Sequence, residues 1–306
     1  MAKSQANPIR RFLRLPRILH GAVLRAGRHD CLNLAQSTAY SAMTSLFPAL
    51  IIAAAIISLL PDNAPLRAQL SIFFDGILPP DVSPLLQSYF VETHSARSTH
   101  ALILAFLVSL FGASSVIATL MEGVRRANDL PVNCWTVLQR RTRALLLIPL
   151  SLIPFVVATM LVVFGQFITD WFAVHIFPEV QTSIYAISLI VRWGVALTGS
   201  VGIIGLIYHL GSPMKQSWKR VLPGAFLATA LWFLTTLAFG WYVTRFANYS
   251  QVYGSLGAGI ALLFWLYIIS LCVLYGAEFN AEFHARVTRS REFQSSPSPT
   301  NTLPPV

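Results

Sequence analysis

Two uncharged apolar stretches, joined by a short polar segment, constrain this chain more than any other feature of its sequence. No charged residue occurs from Val221 to Thr244 or from Ser255 to Ala277. Each stretch has about the 20 residues that an α-helix needs to cross a hydrocarbon core of roughly 30 Å. Since a backbone in lipid must satisfy its own hydrogen bonds, both stretches are predicted to be spanning helices, paired as a transmembrane hairpin.

The composition extends this prediction to the whole chain. Of the 306 residues, 55% are hydrophobic and 11% are charged, whereas soluble domains have roughly 25% charged residues. The expected fold is therefore all-α, a polytopic helical membrane protein with six transmembrane helices. The predicted spans are residues 36–60, 101–121, 144–168, 184–209, 222–244 and 256–278.

The sequence divides into three regions. Residues 1–30 form a basic amphipathic segment, expected to be an interfacial helix that binds anionic headgroups, or a basic tail that sets topology. Residues 31–285 form the membrane domain, and its first outer loop, residues 61–100, has the apolar spacing of two short amphipathic helices. Residues 286–306 form a cytoplasmic tail that is expected to be disordered because it is rich in proline and serine.

The basic residues alternate between the two sides of the predicted bundle. Eighteen of the 22 lysines and arginines fall on the side of both termini, which places the termini in the cytoplasm. The formal net charge of +10 is thus assigned to topology and to anionic lipids, the expected partners, and not to nucleic acid. A homo-oligomer is left open.

The chain also resembles the YihY/BrkB family of membrane proteins, once labelled ribonuclease BN. The residues that carry the resemblance are Ala39-Tyr40 with Ser45 and Pro48, Pro223-Gly224-Ala225, Trp232, Asn248-Tyr249-Ser250, Tyr253-Gly254-Ser255, Trp265, Tyr267, Gly276-Ala277-Glu278 and Asn280. They frame about residues 30–285. The resemblance implies a multi-pass protein of the bacterial cytoplasmic (inner) membrane and does not imply an activity.

Arg192 is the most prominent candidate site residue. It lies about eight residues into the fourth span, or roughly 12 Å deep at 1.5 Å per residue. Ionisable residues at such depth usually face a cavity or a partner, and a guanidinium suits an anionic group such as a lipid phosphate. The alternative is a structural arginine that extends outward or binds helix-end carbonyls near Asp170.

A hydroxyl stripe on the first span is the second candidate. Its members, at helical spacing, are Ser37, Ser41, Thr44, Ser45 and Pro48. The stripe predicts either a hydrated substrate groove or close packing in which hydroxyls bond across helices. Tyr40 and Pro48 join the groove candidates through the family resemblance.

Two further polar sets lie at opposite ends of the spans. In the turn before the sixth span, Asn248, Tyr249, Tyr253 and Gly254 are candidates for an outward opening or for an ordered turn. At the inner ends the candidates are Glu122, Glu278 and Asn280. Glu278 is expected to pair with a basic residue of the connectors that follow the second or fourth span.

The function favoured by these patterns is transport or lipid handling of an anionic or amphipathic small molecule. The alternative is a structural or scaffolding membrane protein that binds anionic lipid or partners through its basic face. The carboxylates and histidines are scattered, and the sequence contains no glycine-rich phosphate loop and no nucleophile elbow. No cofactor and no metal site are therefore expected, and an enzyme, including a ribonuclease, is disfavoured.

Overall fold

The described part of the chain is helical throughout. The computed structural model describes residues 15–58, 99–175, 181–213, 216–246 and 255–295, and these residues contain no strand. They form α1 (Leu15–Arg28), α2 (Cys31–Ser58), α3 (Thr99–Ala127), α4 (Val137–His175), α5 (Gln181–Leu210), α6 (Trp218–Phe246) and α7 (Ser255–Ser295), with one 3₁₀ turn at Val132–Cys134. The all-α prediction is confirmed for this part of the chain.

Four of the described helices are long and apolar enough to cross a membrane. They are His100–Ala127, Tyr185–Leu210, Trp218–Val243 and Gly259–Ala285, which correspond to the second, fourth, fifth and sixth predicted spans. The first and third predicted spans lie within α2 and α4. The count of six spans and the cytoplasmic position of both termini stay predictions.

Several predicted features fall outside the described residues. These are the first 14 residues, most of the first outer loop, the turn between α6 and α7, and the last 11 residues.

Helix α7 continues to Ser295, past the predicted end of the membrane domain at residue 285. It ends two residues before Pro297, and proline disfavours helical geometry in the residue that precedes it.

The basic amphipathic helix α1 packs against the bundle. Its apolar side buries Ile18 and Ala22 together with Phe279 of α7. The Tyr275 hydroxyl of α7 donates a hydrogen bond of 2.9 Å to the Leu19 carbonyl. A helix predicted to lie at the membrane interface is therefore also held by protein contacts at one end of the bundle.

The largest buried cluster lies toward that same end. It collects small and branched side chains from α2, α3, α5, α6 and α7, among them Leu34, Val124, Tyr208, Ala225 and Leu274. Elsewhere many large apolar side chains are exposed, as expected of surfaces that face lipid. We call the end that carries Arg28, Ala127 and Trp218 the inner end, because the predicted topology places it at the cytoplasm.

Helices α6 and α7 cross there through their backbones. A Cβ atom on Gly276 would lie 2.6 Å from the Gly224 carbonyl oxygen and 2.6 Å from the Tyr208 hydroxyl. A Cβ atom on Gly224 would clash in turn with the Gly276 carbonyl. Small residues at a crossing let two membrane helices approach this closely, so the predicted hairpin is packed glycine against glycine.

We expect Gly276→Ala to destabilise the protein by about 1–3 kcal/mol, because the added methyl group meets backbone atoms that cannot move aside. The measurement is the Tm of the purified protein in detergent. Gly202→Ala is the matched control, since a Cβ atom there meets nothing within 4 Å. An unchanged Tm for Gly276→Ala would contradict this packing.

Candidate functional site at the inner end

A buried carboxylate, Glu278, is the centre of the inner end. Its side chain has 0% exposure, although it is charged in its ordinary state. Arg25 Nε donates to one carboxylate oxygen at 3.3 Å, and His29 Nδ1 lies 2.7 Å from the other. The Cys31 thiol is 3.8 Å from that second oxygen. Arg25 of α1, His29 just after it and Cys31 of α2 thus provide the partners that a buried carboxylate of α7 requires.

Asp129, just beyond the end of α3, is joined to the same residues. Arg25 Nη2 lies 2.8 Å from Asp129 Oδ2, and His29 Nε2 lies 3.2 Å from Asp129 Oδ1. The same arginine nitrogen donates to the Ala127 carbonyl at 2.8 Å, which helps to cap α3. Asp129 has a φ of 52°, a left-handed conformation that aspartate tolerates at a helix end. Its side chain is 65% exposed.

These contacts shift the pKa values of the ionisable groups that lie where α1 meets the end of α3. Burial lowers the pKa of the Arg25 guanidinium, but the hydrogen bond and charge of Asp129, followed by those of Glu278, outweigh burial and raise the pKa overall. Burial raises the pKa of Asp129, but Arg25 and then His29 outweigh it and hold the pKa below its ordinary value. Burial, followed by the charge of Glu278, raises the pKa of the Cys31 thiol to about 12. Near neutral pH, Arg25 is therefore a cation, Asp129 an anion and Cys31 a neutral thiol.

The expected partner of Glu278 was wrong. The sequence predicted a basic residue of the connector after the second or the fourth span, whereas the structure pairs Glu278 with Arg25 and His29. The reason is that α1 packs on α7 and brings its own basic side chains to the carboxylate. A signal for this was present in the sequence, because Ile18, Ala22, Arg25 and His29 follow the helical spacing of a single face.

Glu122 forms a second ion-pair cluster on α3. Its carboxylate lies 2.7 Å from Arg125 Nη2 and 3.1 Å from Arg126 Nε, within the same helix. Arg140 of α4 reaches it at 3.5 Å. Arg126 also donates to the His29 carbonyl at 3.2 Å. Glu122 therefore organises arginines that tie α3 to α4 and to the end of α1, which is a structural arrangement.

Asn280 holds the start of α6. Its side-chain oxygen accepts a hydrogen bond of 2.7 Å from the Gly224 backbone N–H, and its side-chain nitrogen donates to the Val221 carbonyl at 2.8 Å. Both groups belong to the backbone of α6 on either side of Pro223, which lies inside this helix. Asn280 is buried one helical turn after Gly276, where α6 and α7 are in close contact. An amide suits this position because it can both accept a hydrogen bond from the α6 backbone and donate one to it.

A cavity of about 250 Å³ lies between these features. Its wall includes charged and polar side chains from α1, the end of α3, the connector before α6, and α6 and α7: Arg25, Asp129, Gln216, Arg220, Asn280 and His284. The volume is somewhat below the roughly 300–1,000 Å³ of sites that enclose a drug-sized ligand. It suits a small polar solute or the headgroup of a larger amphipathic molecule.

Arg192 does not line this cavity and lies in the apolar span of α5. Its Nε and Nη2 donate to Ser188 Oγ at 3.1 and 2.9 Å, and Ser188 Oγ lies 2.5 Å from Thr169 Oγ1 of α4. A Cβ atom on Gly165 would lie 3.2 Å from Arg192 Cδ, so this glycine makes room for the arginine stem. The half-buried Arg192 is thus held by the Ser188 hydroxyl, which in turn bonds Thr169 where α4 and α5 meet.

The comparisons with known proteins decide the family. The profile of the family described as virulence factor BrkB matches residues 22–300. The chain belongs to this family.

Its relatives include proteins described in different terms. YfkH of Bacillus subtilis, described as ribonuclease-like, is 28% identical over 262 residues, covering 84% of this chain and 92% of the relative. A UPF0761 membrane protein of Tolumonas auensis is 29% identical over 261 residues, covering 83% and 81%. Another from Alteromonas mediterranea is 27% identical over 272 residues, covering 86% and 87%. No solved structure was found to match the chain.

Residues 39–48, which carry the first part of the BrkB-family resemblance, lie on α2. The hydroxyl groups of Thr44 and Ser45 both bond carbonyl groups of this helix, and Ser45 also packs against α3. Ser45 is buried against α3, where a Cβ atom on Gly112 would clash with it, and its hydroxyl donates to the Ala42 carbonyl at 3.0 Å. Thr44 donates to the Ser41 carbonyl at 3.1 Å. Tyr40 is 69% exposed. The Ser45 contact favours the packing interpretation of the stripe, and the groove stays a prediction.

Pro48 and the four turn residues complete the comparison with the predicted sites. Pro48 lies inside α2, which is helical on both sides of it. The BrkB-family turn residues Asn248, Tyr249, Tyr253 and Gly254 lie outside the described part of the chain. The structure therefore places Glu278 and Asn280 close together on α7 at the inner end, where Asn280 lines the cavity and Glu278 lies behind its wall. It leaves Arg192 in a separate place and does not test the outer opening.

We expect Glu278→Gln to destabilise the protein by about 1–3 kcal/mol, because it leaves the nearly buried Arg25 with a weaker partner. The readout is a fall in Tm of several degrees in detergent. Asp30→Asn is the control, since the Asp30 side chain is largely exposed and its ion pair with Arg126 is long, at 3.9 Å. Equal effects of the two substitutions would contradict the central role of Glu278.

Proposed function

We propose that this membrane protein transports or otherwise handles an anionic, amphipathic small molecule, and that the inner cavity receives its charged group. The observation that carries the proposal is a cavity with two arginines and a histidine on its wall, within a bundle of apolar helices. The location proposed for it is the bacterial cytoplasmic membrane, with both termini in the cytoplasm.

The charges on the wall favour an anion. Asp129 is the single acidic residue of the lining that the structure describes, and it is already bound by Arg25 and His29. Arg220 and His284 stand on the side of the wall formed by α6 and α7. Guanidinium groups match the planar, bidentate geometry of carboxylate and phosphate oxygens, so the charged group of the ligand is expected to bind beside Arg220.

Exposed apolar surface beside the helices supports an amphipathic ligand. Phe226 and Leu234 of α6 and Ile260 of α7 are exposed, as is expected of side chains that lie against acyl chains. The cavity has room for a headgroup and not for a whole lipid, so the apolar part would remain in the bilayer. This division of a ligand between cavity and bilayer is the basis for the lipid-handling form of the proposal.

Arg192 is proposed as a second contact farther along the path. It lies seven residues into the apolar span Tyr185–Leu210, and its guanidinium donates to the neutral hydroxyl group of Ser188, which is itself bonded to Thr169. A hydroxyl partner stabilises the cation less than a carboxylate would. An anion that leaves the inner cavity would therefore find a favourable charge within the membrane.

The test is transport of a fluorescent phosphatidylglycerol between leaflets of proteoliposomes, with binding of the same lipid measured separately. We expect Arg220→Gln to weaken lipid binding about tenfold and to slow transport about tenfold. The reason is that a hydrogen bond to a charged group contributes about 1.5 kcal/mol at the low end of its range. We expect Arg192→Ala to abolish transport while binding at the inner cavity remains.

Lys219→Gln is the matched control, because Lys219 is the exposed neighbour of Arg220 and does not line the cavity. Its transport rate should equal that of the unmodified protein. Equal lipid movement in empty liposomes and in liposomes with the protein would overturn the transport proposal. Transport preserved in Arg192→Ala would overturn only the role of Arg192.

A scaffolding function is the alternative, and the packing of basic helix α1 against α7 favours it in part. Loss of residues 1–28 would then impair function more than a change of Arg192.

We also propose that the protein is not an enzyme, because Glu122, Glu278 and Asp129 are bound by arginines and a histidine. Metal-dependent RNA cleavage by the purified protein, lost in Glu122→Gln or Asp129→Asn, would contradict this.

A further inference from the structure

Three titratable side chains form a continuous chain from the surface to the protein interior. Asp129 has a side chain that is 65% exposed, His29 is 17% exposed, and Glu278 is fully buried. The imidazole bridges the two carboxylates, with Nε2 at 3.2 Å from Asp129 Oδ1 and Nδ1 at 2.7 Å from Glu278 Oε1. Each end of the ring is thus within reach of one carboxylate, which is the geometry of proton transfer through histidine.

Arg25 is the cation that the two carboxylates share. Its guanidinium contacts Asp129 at 2.8 Å and Glu278 at 3.3 Å, and it also lines the inner cavity. While Arg25 is in place, a nearby cation favours the charged form of a carboxyl group. If the cation is withdrawn, burial favours the neutral form, and Glu278 is the more buried of the two.

We propose that Asp129, His29 and Glu278 form a proton-transfer chain, and that an anion bound in the inner cavity draws Arg25 away from the carboxylates so that Glu278 takes up one proton. This inference rests on the proposed function for the anion that enters the cavity. It adds the energetic coupling, in which the anion and a proton bind together.

The proton moves in two balanced steps. A proton from solution binds Asp129 Oδ1 and passes to His29 Nε2. The proton on His29 Nδ1 passes to Glu278 Oε1, so that His29 gains one proton and loses one. The result is one proton taken from solution and one neutral carboxyl group, while the positive charge of Arg25 is compensated by the bound anion.

The other charged and titratable groups around Glu278 are compatible with this step. Cys31 of α2 has a pKa raised to about 12 and remains a neutral thiol. Arg126 of α3 reaches the His29 carbonyl and is engaged by Glu122 at 3.1 Å and by Asp30 at 3.9 Å. Neither group offers an acidic proton that would replace the one delivered through Asp129.

The chemistry of the site selects a phosphodiester anion as the ligand class. Arg25 and Arg220 supply two guanidinium groups, which suit phosphate oxygens, and the cavity of about 250 Å³ accommodates a headgroup. A phosphodiester can come from a lipid headgroup or from a free small molecule. Its charge does not change in the range where histidine titrates, so any pH dependence reports on the protein.

The experiment compares two probes, dihexanoyl phosphatidylglycerol and glycerophosphoglycerol, which is the same headgroup without acyl chains. Binding to the purified full-length protein is measured by calorimetry at pH 6 and pH 8, in buffers with different ionisation enthalpies. We expect uptake of one proton per bound anion, and therefore an affinity that rises up to about tenfold for each unit by which the pH falls. Reciprocity requires that protons and anion strengthen each other equally.

Glu278→Gln should bind the probe without proton uptake and with the same affinity at both pH values. Asp30→Asn, which removes a neighbouring exposed carboxylate, should retain the uptake. Infrared difference spectra of the unmodified protein give a measurement that needs no variant. Addition of the probe should produce a carbonyl band of a protonated carboxyl group.

The outcomes separate this inference from the proposed function. Binding without proton uptake, or uptake retained in Glu278→Gln, would overturn the proton-transfer chain and leave the anion site in place. Absence of binding by either probe at both pH values would overturn the anion site as well. Binding of the lipid alone would assign the site to a membrane headgroup, and binding of both probes would assign it to the phosphodiester itself.

Discussion

The rest of the inner end depends on the compensation of one buried carboxylate. Glu278 has no exposed surface, and a buried charge without partners is costly. The partners come from α1 and α2, and through Arg25 they extend to Asp129 at the end of α3. Four separate helical segments therefore meet around a single side chain, and three of them, α1, α3 and α7, also line the cavity.

Much of the fold follows from patterns that the sequence displays directly. Length and hydropathy locate helices in lipid, because neither water nor neighbouring strands are available to satisfy the backbone. The hairpin of α6 and α7, and the positions of Pro223 and Asn280 near its inner end, were predictable in this way. The amphipathic character of α1 was also visible in residues 15–28.

The candidate site was less predictable, since it depends on which helix packs against which. Glu278 was recognised as an inner-end residue, but its partners come from α1, some 250 positions earlier in the chain. Hydropathy does not encode such a pairing. The positive-inside rule depends on how many arginines and lysines lie at the inner ends of the spans, and not on which carboxylate each of them contacts. Similarly, Ser45 could line a groove or pack against Gly112, and only the position of α3 distinguishes these roles.

The glycine crossing between α6 and α7 has a mechanical consequence. Backbone atoms in direct contact cannot slide past each other without a clash, so this point acts as a pivot for the two helices. From Gly276 to Gly259 the helix extends for roughly 25 Å at 1.5 Å per residue, and a rotation of about 10° would displace its far end by roughly 4 Å. Small rearrangements beside the inner cavity would thus be amplified at the opposite face of the membrane, while the inner ends of both helices stay in register.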